Sequence, residues 1–548
     1  MKYYLLLIIF LILNIHPGAK AQSGFIPEQQ SPKVVIGLVV ENMRPDYIQR
    51  YWNKFEANGF KKLYSGGAVY TNVNMTQHYN SYASGTATLF TGVHPSLHGI
   101  IGKTWYDRLR SRETECTEDE NYFTVGADTQ TGNASPRKLL SHTVTDNLKI
   151  FSKGKSLVYS AAMNKESAIF SAGHAADGAF WFDPESGKIV SSSFYINTFP
   201  DWVHDFNLEN YSARYSSQNW VTLLPADQYT ESIPDDYISE KGYFDKWNTF
   251  PHNLRRYTKE AESYKPLITT PYSHLMLKDF ALSLLNNVPL GEDEWTDFFT
   301  IVFSSMDYEN GSFGPASLEM QDSYLYLDKY IAELIGFCEK KFGKDNVLFY
   351  LTANTSASYP VKYLKEEFNI PVDAFSPESA IALLTSYLNI TYGEEKWIEY
   401  FSDLQVYLNH DAIKKHKIDL NEIRAEASNF INQFEGVHIS MPADQLEKGF
   451  SDNSLIGTLF KSYAKNRSGD ILYLLKEGWQ PSYKFKKVNY SDQTHIPLIF
   501  YGAGIQPQII REQYNAIDLA PTLSVLLGIP APDKSYGQAM HQIIKNKF

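Results

Sequence analysis

The chain has 548 residues, of which 43% are hydrophobic and 15% are aromatic. This composition excludes a disordered or low-complexity protein, because such chains lack the large apolar side chains that offset the entropy of folding. The 62 acidic and 50 basic residues give a formal net charge of -12, which provides no general attraction for the phosphates of nucleic acids.

The first 21 residues have the pattern of a secretory signal peptide. Lys2 precedes an apolar run at 3–15, and Ala19 and Ala21 are the small residues that precede a cleavage site. The alternative is an uncleaved membrane anchor, but this run is short against the ~20 residues that a bilayer requires. We therefore predict an exported protein, located in the periplasm or at the outer envelope, with no membrane-spanning segment after cleavage.

Apolar segments without polar interruptions predict buried strands, because a sheet that is covered on both faces has no polar side. In chain order these segments are VVIGLVV (34–40), FTIVFS (299–304), VLFYLT (347–352), ILYLL (471–475) and PLIFYG (497–502). Helical periodicity between them predicts helices at 317–343 and 516–530. The pattern predicts an α/β fold with a mostly parallel central sheet and helices on both faces.

Two stretches interrupt this alternation of strands and helices. Residues 195–262 are rich in Tyr, Trp, Asn and Ser, and residues 365–465 contain helical and mixed segments. We interpret both as cap insertions over an edge of the sheet, so that residues 22–548 form one large domain. The sequence leaves open whether the two cysteines, Cys116 and Cys338, form a disulfide.

Polar residues stand where the predicted strands end, which is where α/β sheets carry their reactive groups. Glu41 follows the first strand, Asp307 follows the second, residues 353–356 follow the third, and His495 precedes the last. Residues 80–92 are rich in Gly, Ser and Thr, a composition typical of a helix start that binds an anion or presents a nucleophile. These segments form the candidate site.

With these segments the chain resembles the alkaline phosphatase superfamily, in particular its phosphate-irrepressible alkaline phosphatases and nucleotide pyrophosphatase/phosphodiesterases. Six segments occur in the family's order across the mature chain: VVIGLVVENMRPDYI (34–48), ATLFTGVHPSLHGIIGKTWYDR (87–108), SAIFSAGHAADGAFWFD (167–183), MDYENGSFGP (306–315), THIPLIFYGAGI (494–505) and AIDLAPTLSVLLGIP (516–530). The resemblance implies an alkaline-phosphatase-like fold and a phosphoryl transfer between two zinc ions about 4 Å apart. It also implies Asp and His ligands and a Thr or Ser nucleophile.

Most metal-ligand positions of the family carry other residues in this chain. Asp307 and His495 keep the family residue, and Glu41 replaces an aspartate. Three further ligand positions hold residues that are poor zinc donors: Gly311, Asn354 and Thr355. Asp307 and His495 form either a residual metal site, with Glu41 as the third ligand, or a hydrogen-bonded pair in an emptied pocket.

The nucleophile and substrate-clamp positions of the family are also substituted. Tyr82 occupies the nucleophile position, as either a replacement nucleophile or an aromatic plug. Lys103, Asn164 and Glu166 occupy the clamp positions. Because a phosphate clamp requires cations, Glu166 would repel the substrate, although Lys165 lies next to it in sequence.

This combination of a retained framework and substituted chemistry predicts a catalytically inactive pseudoenzyme. Such a protein would be a binding or scaffold subunit with an envelope protein as its partner, and it would have neither catalytic residues nor a cofactor. The alternative is a divergent metal-dependent phosphatase or phosphodiesterase. It would hydrolyse phosphate esters through a reduced zinc site on Glu41, Asp307 and His495.

Overall fold

The computed structural model of the chain describes residues 31–77, 81–304, 313–449, 454–482 and 493–545. The predicted signal peptide, Asp307 and Gly311 lie outside these ranges. Within them, no helix combines the length and the apolar character that crossing a membrane requires.

The strands of the described residues are numbered in chain order. They are β1 (Val34–Val40), β2 (Ala68–Asn74), β3 (Thr104–Asp107), β4 (Arg112–Glu115), β5 (Thr124–Val125), β6 (Val158–Ala162), β7 (Gly178–Asp183), β8 (Lys188–Ser192), β9 (Asn219–Trp220), β10 (His252–Asn253), β11 (Asp297–Phe303), β12 (Val347–Thr352), β13 (Ala374–Phe375), β14 (Ile398–Ser402), β15 (Gln405–Leu408), β16 (Val437–Pro442), β17 (Ile471–Leu475), β18 (Gln480–Pro481), β19 (His495–Gly502), β20 (Gln508–Ile510) and β21 (Tyr514–Asn515).

The α-helices follow the same numbering. They are α1 (Asp46–Arg50), α2 (Phe60–Gly66), α3 (Tyr82–Thr91), α4 (Pro95–His98), α5 (Val144–Phe151), α6 (Lys165–Ala172), α7 (Asp201–Leu208), α8 (Tyr211–Ser216), α9 (Leu254–Ala261), α10 (Pro271–Asn287), α11 (Leu318–Phe342), α12 (Val361–Phe368), α13 (Pro377–Tyr392), α14 (His410–Lys415), α15 (Leu420–Ile431), α16 (Ala443–Leu446), α17 (Leu455–Ser462), α18 (Leu519–Leu527) and α19 (His541–Lys545). Short 3-10 turns cover Ala226–Gln228, Lys265–Thr269, Lys344–Asn346 and Ala516–Asp518.

One large sheet organises the protein. Its strand order is β20-β2-β19-β12-β1-β11-β6-β7-β8-β5, and β21 also pairs with β2. β1 lies parallel to β11 and β12, and the parallel arrangement continues through β6 and β7. β19 is antiparallel to both β12 and β2. The predicted α/β fold with a mostly parallel sheet is confirmed, and the ends of β1, β6, β11 and β12 share one edge with the start of β19.

The continuous apolar segments form the centre of this sheet. Every residue of β1, β11 and β12 is buried. The predicted helix at 317–343 is α11, which begins after the side chain of Ser317 accepts a hydrogen bond from the amide of Met320. It ends at Gly343, whose φ of 84° lies in the left-handed region. Burial therefore explains the central strands, and capping residues explain where α11 begins and ends.

One predicted strand belongs to a different sheet from the one we expected. Ile471–Leu475 is β17, which pairs with β15 and β16 in a four-stranded antiparallel sheet of order β14-β15-β17-β16. This small sheet has its own apolar core, which includes Leu384, Trp397 and Ile423. A short apolar segment is compatible with either sheet, so its periodicity could not show which partner it pairs with.

The structure also describes the first insertion and the cysteines. Residues 195–262, which we predicted as a cap insertion, contain the helices α7, α8 and α9. Cys116 and Cys338 are both buried and both free thiols. The boundary of the single domain at 22–548 stays a prediction.

Candidate functional site

Four elements meet at the shared edge of the sheet. β1 continues into Glu41, and β12 continues into Asn354 and Thr355. α6 begins after Asn164, whose side-chain oxygen accepts a 2.8 Å hydrogen bond from the amide of Ser167. α3 begins at Tyr82, after Ser81 has capped it in a reciprocal capping box with Ser84. The edge is therefore built from two strand ends and two helix starts.

Glu41 is bound to the start of α6. Its Oε1 accepts a hydrogen bond of 2.6 Å from Nδ2 of Asn164 and another of 2.6 Å from Oγ of Ser167. The side chain is 2% exposed. Burial raises the pKa of Glu41 to about 7; the charge of Glu166 adds to this rise, and the hydrogen bonds from Ser167 and Asn164 oppose it.

Replacing Glu41 with glutamine tests this environment. The pKa of Glu41 is about 7 in the folded protein, against a reference of 4.5. Ionisation is therefore less favourable in the folded state than in the unfolded state, and wild-type stability falls as the pH rises between these two values. The expected loss is about 3 kcal/mol. Glutamine cannot ionise. In Glu41→Gln the loss of unfolding free energy between pH 5 and pH 8, measured in urea, should therefore be smaller than the wild-type loss by about this amount. The exposed Glu292→Gln should match wild type, and an unchanged difference in Glu41→Gln would contradict the assignment.

Asn354 and Thr355 complete the network at the end of β12. Nδ2 of Asn354 donates to Oγ1 of Thr86 at 3.0 Å and lies 3.4 Å from the carbonyl oxygen of Tyr82. The hydroxyl of Thr355 donates to Oδ1 of Asn42 at 2.6 Å and accepts from the backbone amide of Asn42 at 3.1 Å. These bonds join β12 to α3 on one side and to the turn after β1 on the other.

Tyr82 and Lys103 lie next to each other at the start of α3. Tyr82 is 5% exposed, and Nζ of Lys103 lies 5.9 Å from the centre of its ring. A lysine in this position interacts favourably with the face of the ring. The pair therefore places one cation beside the ring of Tyr82, whose carbonyl oxygen lies next to Asn354.

The two remaining clamp residues do not contribute positive charge. Asn164 caps α6 and binds Glu41 as described above. Glu166 is 2% exposed, and among the residues that the structure describes no hydrogen-bond donor reaches its Oε1. Lys165 forms an ion pair with Glu115, so its charge is already compensated. Lys103 is thus the clamp position that supplies a cation.

His495 and Glu41 are bound to different elements. Its Nε2 donates a 2.8 Å hydrogen bond to the carbonyl oxygen of Thr71 in β2, whereas Glu41 is bound to α6. His495 lines a cavity of about 450 Å³ together with Arg44, Asp46 and residues of β2 and β19. Glu41 does not line this cavity. Asp307 lies outside the described residues, so its pairing with His495 stays a prediction.

The described residues do not fit a two-zinc centre. Zinc is held by Cys, His, Asp or Glu, usually four donors in a tetrahedron. Between β1 and β12 the structure offers one carboxylate, one amide and one hydroxyl, and all three are engaged in hydrogen bonds within the protein. Across the described ranges no three His, Cys, Asp or Glu side chains come together as a metal-binding group.

Sequence reasoning missed three members of this network: Ser167, Asn42 and Thr86. Ser167 had a readable signal, because it follows Asn164 by three residues, the spacing at which a cap residue meets the first turn of a helix. Asn42 and Thr86 had no such signal. They reach Thr355 and Asn354 only because the fold brings together segments that are far apart in sequence.

Comparisons with a family model, with characterised proteins and with solved structures all indicate the same family. The model of the type I phosphodiesterase / nucleotide pyrophosphatase family matches residues 35–497. The alkaline phosphatase PafA of Elizabethkingia meningoseptica is 33% identical over 540 residues, which cover 96% of this chain and 98% of that protein. The alkaline phosphatase PhoV of Synechococcus elongatus is 31% identical over 535 residues, which cover 96% of each chain. The crystal structure of wild-type PafA superposes with a TM-score of 0.88 at 32% identity, covering 94% of this chain and 99% of that one.

These relatives contradict our prediction of an inactive scaffold protein. That prediction was based on the residue types at the ligand, nucleophile and clamp positions, whereas the similarity to two alkaline phosphatases extends over nearly the whole of both chains. The residue types at ligand positions are therefore an insufficient basis for excluding catalysis. The alternative, a divergent hydrolase of phosphate esters, is better supported.

The matched family model covers most of the chain, and the fold agrees with that of a solved alkaline phosphatase. Both findings confirm the resemblance that the six sequence segments indicated. The chain belongs to the type I phosphodiesterase / nucleotide pyrophosphatase family, within the alkaline phosphatase superfamily.

Proposed function

We propose that the protein is a phosphoric ester hydrolase. The observation that supports this proposal is the identity of 33% and 31%, over nearly the full chain, to two alkaline phosphatases. The substrate class is a phosphate ester, and the reaction takes place at the edge of the sheet where Glu41, Tyr82, Lys103 and Asn354 lie.

Lys103 is the residue to which we assign phosphate binding. The residue is half-buried, and its ammonium group lies beside Tyr82, the first residue of α3, where the helix start adds a partial positive charge. A charge-assisted hydrogen bond to phosphate is stronger than a neutral one. Because the described residues do not fit a zinc pair, we assign no step of the reaction to a metal ion.

Hydrolysis of p-nitrophenyl phosphate and of bis(p-nitrophenyl) phosphate tests the proposal. Purified protein should release p-nitrophenol from at least one ester in buffer with zinc, with magnesium or with EDTA. Lys103→Ala should lower kcat/KM about tenfold to a hundredfold, because it removes a bond of about 1.5–3 kcal/mol to the phosphate. Lys396→Ala, at an exposed ion pair, is the matched control and should leave kcat/KM unchanged.

Two results in this assay would count against the proposal. The first is the absence of hydrolysis of both esters in all three buffers. The second is equal activity in wild type and Lys103→Ala, which would place the activity elsewhere or in a contaminant. Tyr82→Phe in the same assay separates the two readings of Tyr82, since a nucleophile requires the hydroxyl and an aromatic plug does not.

We also propose that the protein is exported, on the basis of the signal-peptide pattern in its first 21 residues. Fractionation of the producing cells, followed by N-terminal sequencing of the mature protein, tests this. A start at residue 22 in the extracytoplasmic fraction is expected, and an intact Met1 in the cytoplasmic fraction would contradict it. The envelope partner stays a prediction.

A further inference from the structure

We infer that hydrogen bonds, and not a metal ion, join the ends of β1 and β12 to α3 and α6 in this protein. The inference concerns the site of the proposed hydrolysis but does not depend on that activity, because it is a statement about what holds four elements together. It is carried by the bonding of Glu41, Asn354 and Thr355 and by the distance between α3 and β12.

Glu41 is held at this edge by hydrogen bonds from α6. Oε1 of Glu41 accepts two donors at 2.6 Å, and both donors come from the first turn of α6 and its cap. A cation bound to that oxygen would compete with both donors, because an amide or hydroxyl hydrogen and a metal ion use the same lone pairs. Breaking these two hydrogen bonds would leave the buried donors of Asn164 and Ser167 without an acceptor, which would destabilise the folded protein.

The amide of Asn354 has the wrong polarity for a ligand in its observed orientation. Its NH2 group faces Oγ1 of Thr86 and the carbonyl oxygen of Tyr82, and its Oδ1 lies 3.2 Å from the hydroxyl of Thr355. The hydroxyl of Thr355 is in turn committed to Oδ1 of Asn42. The side chains that replace an Asp and a His of the family are thus used as donors within the protein.

The backbones of α3 and of the segment that follows β12 are also in direct contact. A Cβ atom added to Gly85 would lie 1.8 Å from the carbonyl oxygen of Asn354. This approach is compatible only with glycine, and it is independent of the side-chain bonds. Helix and strand end therefore touch through their main chains at the place where the network bridges them.

Zinc content and thermal stability test this inference without reference to activity. Wild type and Glu41→Gln are incubated with zinc, freed of unbound metal by gel filtration, and analysed by mass spectrometry for zinc per chain. The expected result is equal zinc content in both proteins, because no ion is bound by Glu41. One zinc ion fewer in Glu41→Gln would overturn the inference.

A second measurement keeps the test decisive if Glu41→Gln folds poorly. Ser167→Ala removes one donor to Glu41 without touching a ligand position. It should lower the midpoint of thermal unfolding in EDTA relative to wild type in EDTA, because the network stabilises the metal-free protein. A drop in the wild-type midpoint on adding EDTA, together with no effect of Ser167→Ala in EDTA, would show that a metal holds this edge.

A designed variant provides the positive control. Glu41→Asp/Asn354→Asp/Thr355→His restores family residues at three ligand positions, and it should bind one zinc ion more per chain than wild type. Equal zinc content in this variant and in wild type would overturn the view that these substitutions removed a metal site. The ester-hydrolysis assay is separate, so loss of the proposed function and loss of this inference give different results.

Discussion

Replacing Asp470 with alanine should destabilise the protein by about 3 kcal/mol. The carboxylate is 1% exposed and receives Arg108 at 2.5 Å and Arg424 at 2.7 Å. It also accepts hydrogen bonds of 2.8 Å from Nε2 of His410 and from the amide of Leu408. Removing it leaves two guanidinium groups without their shared counter-charge, and urea unfolding measures the loss.

The pH dependence of this effect has a definite sign. Burial by itself would raise the pKa of Asp470, but the hydrogen bond from His410 and the charges of Arg108 and Arg424 outweigh burial and hold the pKa well below its ordinary value. A depressed pKa stabilises the folded state above the ordinary value of about 3.9, and this stabilisation is lost as the pH falls below it. The difference between wild type and Asp470→Ala should thus shrink as the pH falls below about 4.

A surface ion pair is the matched control for Asp470→Ala. Glu399 pairs with Lys396 at 2.7 Å, and the lysine side chain is 62% exposed. Glu399→Gln should therefore change the unfolding free energy by less than about 1 kcal/mol. Equal effects of the two substitutions would show that the Asp470 cluster does not act as a buried hub between the inserted sheet and Arg108.

Replacing Gly85 with alanine should have a comparable effect, a loss of about 3 kcal/mol. The added Cβ would lie 1.8 Å from the carbonyl oxygen of Asn354, and a backbone atom cannot move away as a flexible side chain can. α3 would have to shift, and the hydrogen bond from Asn354 to Thr86 would lengthen. Urea unfolding measures the loss in stability.

Gly336 in α11 is the matched control, because it is also a helical glycine. No atom lies within 4 Å of a Cβ added to it, and the position is exposed. Gly336→Ala should stabilise the protein by up to about 1 kcal/mol through helix propensity alone. Opposite signs for the two substitutions are expected, and a stabilising Gly85→Ala would contradict the close contact of α3 with β12.

Local pattern was sufficient for the central elements. The predicted strands 34–40 and 347–352 agree with β1 and β12 to the residue, since a continuous apolar segment must be buried on both faces. α11 was predicted to within one residue at each end, because Ser317 and Gly343 mark its start and its end. Residues 471–475 were correctly predicted as a strand, but the sheet to which they belong was not. Their pairing with β15 and β16 depends on segments distant in sequence.

The candidate site could be predicted only in part. The order of strands and polar segments located Glu41, Asn354, Thr355 and His495 at strand ends, as the structure has them. The inference from substituted ligands to an inactive protein was wrong, as the similarity to two alkaline phosphatases shows. The residue types at ligand positions describe only one arrangement that can catalyse a reaction, whereas activity depends on the positions of all polar groups in the folded protein.

The sequence by itself determined the apolar framework of this protein, because burial and helix capping act over a few residues and leave a periodic trace in the chain. Only the tertiary structure decided that Glu41 turns to α6 and His495 turns to β2, and that Asn42, Thr86 and Ser167 complete the network. Hydrogen-bond direction depends on which donors lie nearby after folding, and those donors come from segments up to 313 residues apart.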